Sequence, residues 1–110
     1  MSDVKATEET TKPVIALPQM SATKVLAKDN ALKNTWSKKS GISGYEIQYS
    51  LKKNFKKSKT IKIRKNSATS KTIKNLKNKK KYYVRIRTYR KVAGKIYRSA
   101  WSKRRSIKTK

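Results

Sequence analysis

An antiparallel β-sandwich is the fold this sequence predicts, and three observations predict it. Short stretches alternate apolar and polar residues with the period of two that belongs to strands. They recur at a spacing of roughly 8–12 residues with turn signals between them. No helical period of useful length competes. The clearest stretch is Tyr82 to Tyr89, which sets Tyr82, Val84, Ile86 and Thr88 on one face and Tyr83, Arg85, Arg87 and Tyr89 on the other. The first face suits a core. The second suits a solvated surface or a ladder of cations over rings, because the face of an aromatic ring is electron-rich.

The remaining elements follow along the chain. Met1 to Lys12 is polar, holds Asp3, Glu8 and Glu9, and has no apolar period, so residues 1–12 read as a flexible tail and 13–110 as the sandwich. From Pro13, the residues Val14, Ile15, Leu17 and Met20 form an apolar run broken by Pro18, which fits an edge strand since proline donates no hydrogen bond. Lys24 to Asn30 then turns the chain, with Asp29-Asn30 as the turn itself. Leu32, Asn34 and Trp36 share the parity of the next strand. Trp36 is its anchor: a buried indole hides about 150–250 Å², worth roughly 4–6 kcal/mol. Asn34 needs a partner if it is buried.

Ser40-Gly41-Ile42-Ser43-Gly44 is the plainest loop, and Tyr45, Ile47 and Tyr49 alternate after it as a third strand. Leu51 and Phe55 fold over its end. Ile61 and Ile63 mark the fourth strand, Asn66 to Ser70 a polar turn, and Thr72-Ile73 with Leu76 a short fifth. Asn75 to Lys81 is a solvated corner. After Tyr89 the chain turns through Gly94, and Ile96 to Ile107 makes the last strand, with Tyr97 and Trp101 as its rings.

Composition bounds the function. In 110 residues, 32 Lys plus Arg stand against 5 Asp plus Glu, a formal net charge of +27. Such a field attracts polyanions, screened over about 8 Å at physiological salt. There is no cysteine and no histidine. Disulfides, thiolate metal sites, imidazole bases and the usual triads are thereby absent, and no cofactor is expected. Asp3, Glu8, Glu9, Asp29 and Glu46 are scattered and offer no paired carboxylates, so the chain reads as a non-enzyme. The opening residues lack the basic start and apolar run of a secretory signal. No stretch approaches the ~20 apolar residues of a membrane span, so membrane insertion is not expected.

Trp36, the Ser40–Gly44 loop, Tyr45-Glu46-Ile47-Gln48-Tyr49-Ser50, Leu76, Tyr82-Tyr83-Val84-Arg85-Ile86-Arg87 and Ala100-Trp101-Ser102 fall in the order and spacing of a known module. Over about Val14 to Thr109 the chain resembles a fibronectin type III domain. The resemblance implies a seven-stranded, immunoglobulin-like antiparallel β-sandwich, with strands from Val14 and around Trp36, Ile47, Ile61, Ile73, Val84 and Trp101. It implies a core of Trp36, Tyr45, Ile47, Leu76, Tyr82, Val84 and Ile86, with the Tyr82 hydroxyl bonded back to the turn before it. The lysine-rich style is similar to modules of surface and cell-wall-associated proteins of Gram-positive gut bacteria and clostridia. Three departures stand out. Asn34 takes an aliphatic position, Lys39 takes one where such modules often carry valine, and the turn before Tyr82 lacks the common proline and glycine. The integrin-binding Arg-Gly-Asp tripeptide is absent.

Arg98-Ser99-Ala100-Trp101-Ser102 resembles the Trp-Ser-x-Trp-Ser box of cytokine receptor modules with Arg98 in the first tryptophan's place, and this implies a ladder of Arg85, Arg87, Arg98 and Trp101. Lys56, Lys57, Lys59, Lys62, Arg64 and Lys65 on one hairpin, and Lys77, Lys79, Lys80 and Lys81 at a corner, form a candidate polyanion patch. The same lysines also serve simply to keep an exposed strand soluble and unpaired. The expected function is a non-catalytic binding or spacer module of a bacterial extracellular or cell-surface protein, with a protein or an anionic wall polymer or polysaccharide as partner. A free-standing phage virion decoration protein is the alternative, located in the virion or cytoplasm. A nucleic-acid binder ranks third, and only a non-specific one, since no recognition helix, zinc site or stacking platform is evident.

Overall fold

The computed structural model describes residues 17–110, and the expected tail of residues 1–12, together with Pro13 to Ala16, lies outside them. Eight strands form two antiparallel sheets among the described residues. The smaller sheet has the order β1 (Lys24–Lys28), β2 (Ala31–Thr35), β5 (Ser70–Ile73). In the larger, β4 (Lys59–Ile63), β3 (Gly44–Ser50), β6 (Lys81–Val92) and β7 (Lys95–Arg98) lie side by side, and β8 (Arg105–Lys108) also pairs with β6.

Three elements depart from the sequence reading. Among the described residues the first strand is Lys24–Lys28, where a turning connection was expected; Leu17 to Met20 carries no strand, and Val14 and Ile15 of the expected edge strand lie outside the described residues. Asp29-Asn30 is indeed the turn, closing a two-residue hairpin in which Lys28 faces Ala31 and Asn30 takes a left-handed φ of 54°. Strand β2 ends at Thr35, so Trp36 stands just beyond it, held by its backbone N–H donating to the Thr69 carbonyl at 2.9 Å. The expected last strand breaks into β7 and β8, and the break raises the count to eight.

The break has a chemical cause. Ser99 and Ser102 each bind β6 twice: their N–H groups donate to the carbonyls of Thr88 (3.0 Å) and Ile86 (2.8 Å), and their hydroxyls accept from the N–H groups of the same two residues, both at 3.0 Å. Side chains thus complete the ladder that backbone would otherwise complete. Freed from the ladder, Trp101 swings over the outer face of β6.

Between the sheets, Leu32 and Ile73 meet Ile47, Val84 and Ile86, with Trp36, Tyr45, Leu76 and Tyr82 in the same buried cluster. Rings of Trp36 and Tyr45 lie 5.3 Å apart at a tilt of 56°. Asn34 is fully buried in this setting. Its amide oxygen accepts from the Thr23 hydroxyl at 3.3 Å, while its amide nitrogen reaches the Leu32 and Lys71 carbonyls at 3.4 Å. These are long bonds, so the amide is paired but weakly. Lys39, the second departure from pattern, contributes through its backbone, donating to the Tyr45 hydroxyl at 2.8 Å, and that hydroxyl donates to the Asn66 carbonyl at 2.9 Å.

The Tyr82 hydroxyl accepts from the Lys77 backbone N–H at 2.9 Å, closing the corner ahead of β6. Where proline and glycine are missing, Lys79 itself takes the left-handed backbone, with φ 52°. Replacing Tyr82 by Phe removes the acceptor and leaves a backbone donor unpaired at a half-buried corner. The expected loss is about 1–2 kcal/mol of unfolding free energy, read from the midpoint of a urea titration with its slope unchanged.

Candidate functional site

The outer face of the large sheet is built by register. Opposite Glu46 on β3 stands Arg87 on β6, and opposite Gln48 stands Arg85, so each guanidinium meets an acceptor directly across the strand pair. Arg87 Nε donates to Glu46 Oε1 at 2.8 Å, and Arg85 Nε donates to Gln48 Oε1 at 2.6 Å. Gln48 in turn donates to the Ser58 hydroxyl at 2.7 Å. Gly44 begins the strand where side chains crowd: a Cβ there would collide with the Ile63 carbonyl and stand 2.9 Å from the Tyr89 ring.

Rings complete the arrangement. The Arg85 guanidinium lies 4.1 Å from the Phe55 ring centre and 4.6 Å from that of Trp101, while Arg87 lies 3.9 Å from Trp101 on the same indole. The order is therefore Phe55, Arg85, Trp101, Arg87. Arg98 belongs elsewhere: its Nε donates to Glu46 Oε1 at 3.1 Å, and none of the cation–ring pairs among the described residues includes it. Phe55 and Glu46 are the members that sequence reasoning missed. Glu46 was legible in principle, as the one acid on a strand flanked by cationic strands, whereas Phe55 reaches Arg85 through a turn whose path the sequence does not reveal.

Glu46 is 3% exposed and shares its carboxylate between two arginines. Burial alone pushes its pKa up, but the hydrogen bonds and charges of Arg87 and Arg98 outweigh this and hold the carboxyl below its ordinary value. Burial, with the Arg87 charge beside it, lowers the pKa of Arg85, which stays cationic. The face as a whole remains positive, because Lys62, across from Glu46 on β4, adds a further ammonium 5.0 Å from the Tyr89 ring centre.

The candidate polyanion residues are distributed over three places, all of them exposed. Lys56, Lys57 and Lys59 come together with Lys77, and with Lys52, around one cleft of about 290 Å³ whose other lining is Tyr49, Ser50, Leu51, Asn75, Leu76 and Tyr82. Lys62, Arg64 and Lys65 lie further along and beyond β4. Lys79, Lys80 and Lys81 occupy the corner, where the Lys80 N–H donates to the Thr109 hydroxyl at 3.1 Å and Lys81 lies 5.7 Å from the Tyr83 ring centre. The hairpin and corner clusters thus meet only at Lys77. Among the described residues there is no group of three acids, histidines or cysteines able to hold a metal, and no helix long and apolar enough to cross a membrane.

Comparison with known proteins concerns this same framework. The fibronectin type III domain model matches residues 18–105. A myokine structure superposes with a TM-score of 0.63 at 21% identity, covering 82% of this chain and 97% of that one. The FN1-FN3 domains of chicken CNTN1 superpose with a TM-score of 0.69 at 16% identity, covering 84% of this chain and 30% of that one. At such identities these two likenesses speak for the fold. No curated protein matches the chain. The family match takes in well over half of the chain and agrees with the two-sheet sandwich and its tyrosine-closed corner, and by it the chain belongs to the fibronectin type III domain family, whose members are typically non-catalytic modules.

Proposed function

We propose that this chain is a rigid binding and spacer module of a bacterial extracellular or cell-surface protein, and that its cationic surface rests on an anionic wall polymer or polysaccharide. One observation carries the reading: among residues 17–110 the acids are only Asp29 and Glu46, and Glu46 is already taken by two arginines. Nearly every exposed lysine is therefore without a carboxylate among the described residues and faces solvent ready for an external anion. A rigid scaffold suits that task. Its strands hold the lysine backbones at fixed separations, so little further ordering of the backbone is lost when a polymer settles on them.

The chain is expected to be retained on immobilised polygalacturonate and not on neutral dextran. Affinity falls steeply with salt, on the order of 50-fold between about 50 and 200 mM for four neutralised charges. Duplex DNA run beside it separates the readings. Equal affinity for both polymers, erased together by salt, would reduce the behaviour to unspecific attraction and sink the proposal; so would failure to bind polygalacturonate at the lower salt.

A further inference from the structure

The lysine-rimmed cleft differs from the rest of the lysine coat in its floor. Tyr49 and Tyr82 lie at its base with ring centres 6.4 Å apart and tilted by 53°, and Leu76 and the exposed Leu51 (41%) stand beside them. Tyr49 belongs by parity to the inner face of β3, and its half-buried ring shows at the open end of the sandwich instead of being sealed by the opposite sheet. Five lysines border this apolar floor: Lys52, Lys56, Lys57, Lys59 and Lys77. No carboxylate of the described residues lines it. An arrangement with an apolar body and convergent charges of one sign is that of a small-ligand site, at the small end of the usual volumes.

The walls are also fixed before any ligand arrives. On one side, the Ser50 hydroxyl accepts from the Lys52 N–H at 3.0 Å and donates to the Lys56 carbonyl at 2.7 Å, and Asn54 Oδ1 accepts from the Lys56 N–H at 3.1 Å. On the other, Asn30 pins Leu76 through two bonds of 2.9 Å while Tyr82 pins Lys77. Lys57 and Asn75, one on each wall, hold left-handed φ values of 52° and 59°. Backbone held in that region persists only where its surroundings over-determine it. Burial, with Tyr82 close by, raises the pKa of the Tyr49 phenol, which remains a protonated donor.

We propose that this cleft seats one acidic sugar unit of the polymer, with the C–H face of the sugar ring against Tyr49 and Leu51 and its carboxylate or phosphate held among the lysines of the rim. The assignment rests on the polymer reading above and narrows it from a charged surface to one receptor. A pyranose supplies both halves that the cleft asks for: a flat face of C–H groups for the tyrosine and leucine, and a single anionic substituent at its edge. The acid group is recognised by charge-assisted hydrogen bonds that both carboxylate and phosphate accept.

The test is a titration of the full chain, followed by backbone amide shifts, with sodium glucuronate, glucose 6-phosphate and glucose at constant ionic strength. Saturable shifts confined to the 49–59 and 75–82 segments are expected with glucuronate or the phosphate, and none with glucose. Loss of two charge-assisted contacts in the double variant Lys57→Gln/Lys77→Gln weakens binding by about tenfold or more, and Leu51→Ser weakens it as well. Removing equal charge at the far end of β6, in Lys91→Gln/Lys95→Gln, about 30 Å along the strand from Tyr82, changes affinity by less than about twofold, since exposed charges beyond a Debye length are screened. Shifts spread over lysines everywhere, or equal losses in the two double variants, would overturn the inference. If polygalacturonate retention persists while neither small acid saturates, the cleft assignment fails and the polymer reading stands. If glucuronate saturates the cleft while polygalacturonate is not retained, the polymer reading fails instead.

Discussion

Replacing Trp36 by Ala is expected to remove about 3–5 kcal/mol of unfolding free energy, the largest loss for any single substitution in this chain. Small domains are stable by about 5–15 kcal/mol, so the variant should be marginally folded at 25 °C. The position explains the magnitude. Trp36 sits where β2 leaves its sheet, tied to Thr69, with its ring against Tyr45 and in one cluster with Ile47, Val84 and Ile86 of the opposite sheet. No small side chain can span the gap, and neighbours held in two sheets cannot collapse into it. Trp36→Phe is the informative partner. The indole N–H is buried and finds no hydrogen-bond partner among the described residues, so its deletion costs nothing in bonding and part of the ring contact survives. That variant should lose less than about half as much as the alanine one. Urea or thermal unfolding of both decides the matter: an alanine variant within about 1 kcal/mol of the parent would mean that the core does not close on this residue.

How much of this was legible follows from which residues obey a period. From Tyr82 to Thr88 buried and half-buried residues alternate, with only Tyr89 breaking the pattern as a buried ring on the outer face, and the interior of the large sheet was accordingly readable; the corner closed by Tyr82 came from the family resemblance and not from the period. Strand β1 shows no such pattern in its sequence. Only Val25 and Ala27 turn partly inward, while Leu26 points out and is 58% exposed, so the strand carries its largest apolar residue on the wrong face and reads as a connection. The apolar run before it drew the strand assignment instead, and Met20 is buried there without any ladder. The split of the last strand escaped for a different reason. Ser99 and Ser102 act through hydroxyls that imitate backbone groups, and composition cannot distinguish a serine that caps a ladder from one that faces water. Within the site, register put Arg85 and Arg87 on one face, yet which cation would stack and which would pair depended on a single carboxylate. Arg98 went to Glu46 because β7 places it beside that acid, with Tyr89 as its own partner across the ladder.

That carboxylate is the second place where a small change has a large expected effect. Glu46→Ala should lower stability by about 2–4 kcal/mol at pH 7, below the full value for breaking a buried pair because Arg87 and Arg98 keep 24% and 40% of their side-chain exposure. What remains after the substitution is a patch of Arg85, Arg87, Arg98 and Lys62 with no counter-charge, two of these arginines pressed on one indole. Glu46→Gln keeps the shape and one acceptor oxygen, and should fall between the alanine variant and the parent. The pH dependence identifies charge as the cause. Since the folded carboxyl lies below its ordinary value of 4.5, its contribution is fully present above that pH and disappears as the pH falls through the lowered folded value. Parent and Glu46→Gln should therefore differ at pH 7 and converge on acidification, even as both lose stability from growing self-repulsion in a chain already carrying +27. A stability gap that stays constant from pH 7 to about pH 2 would show that Glu46 acts through shape and hydrogen bonding alone, and that the arginines on this face do not need its charge.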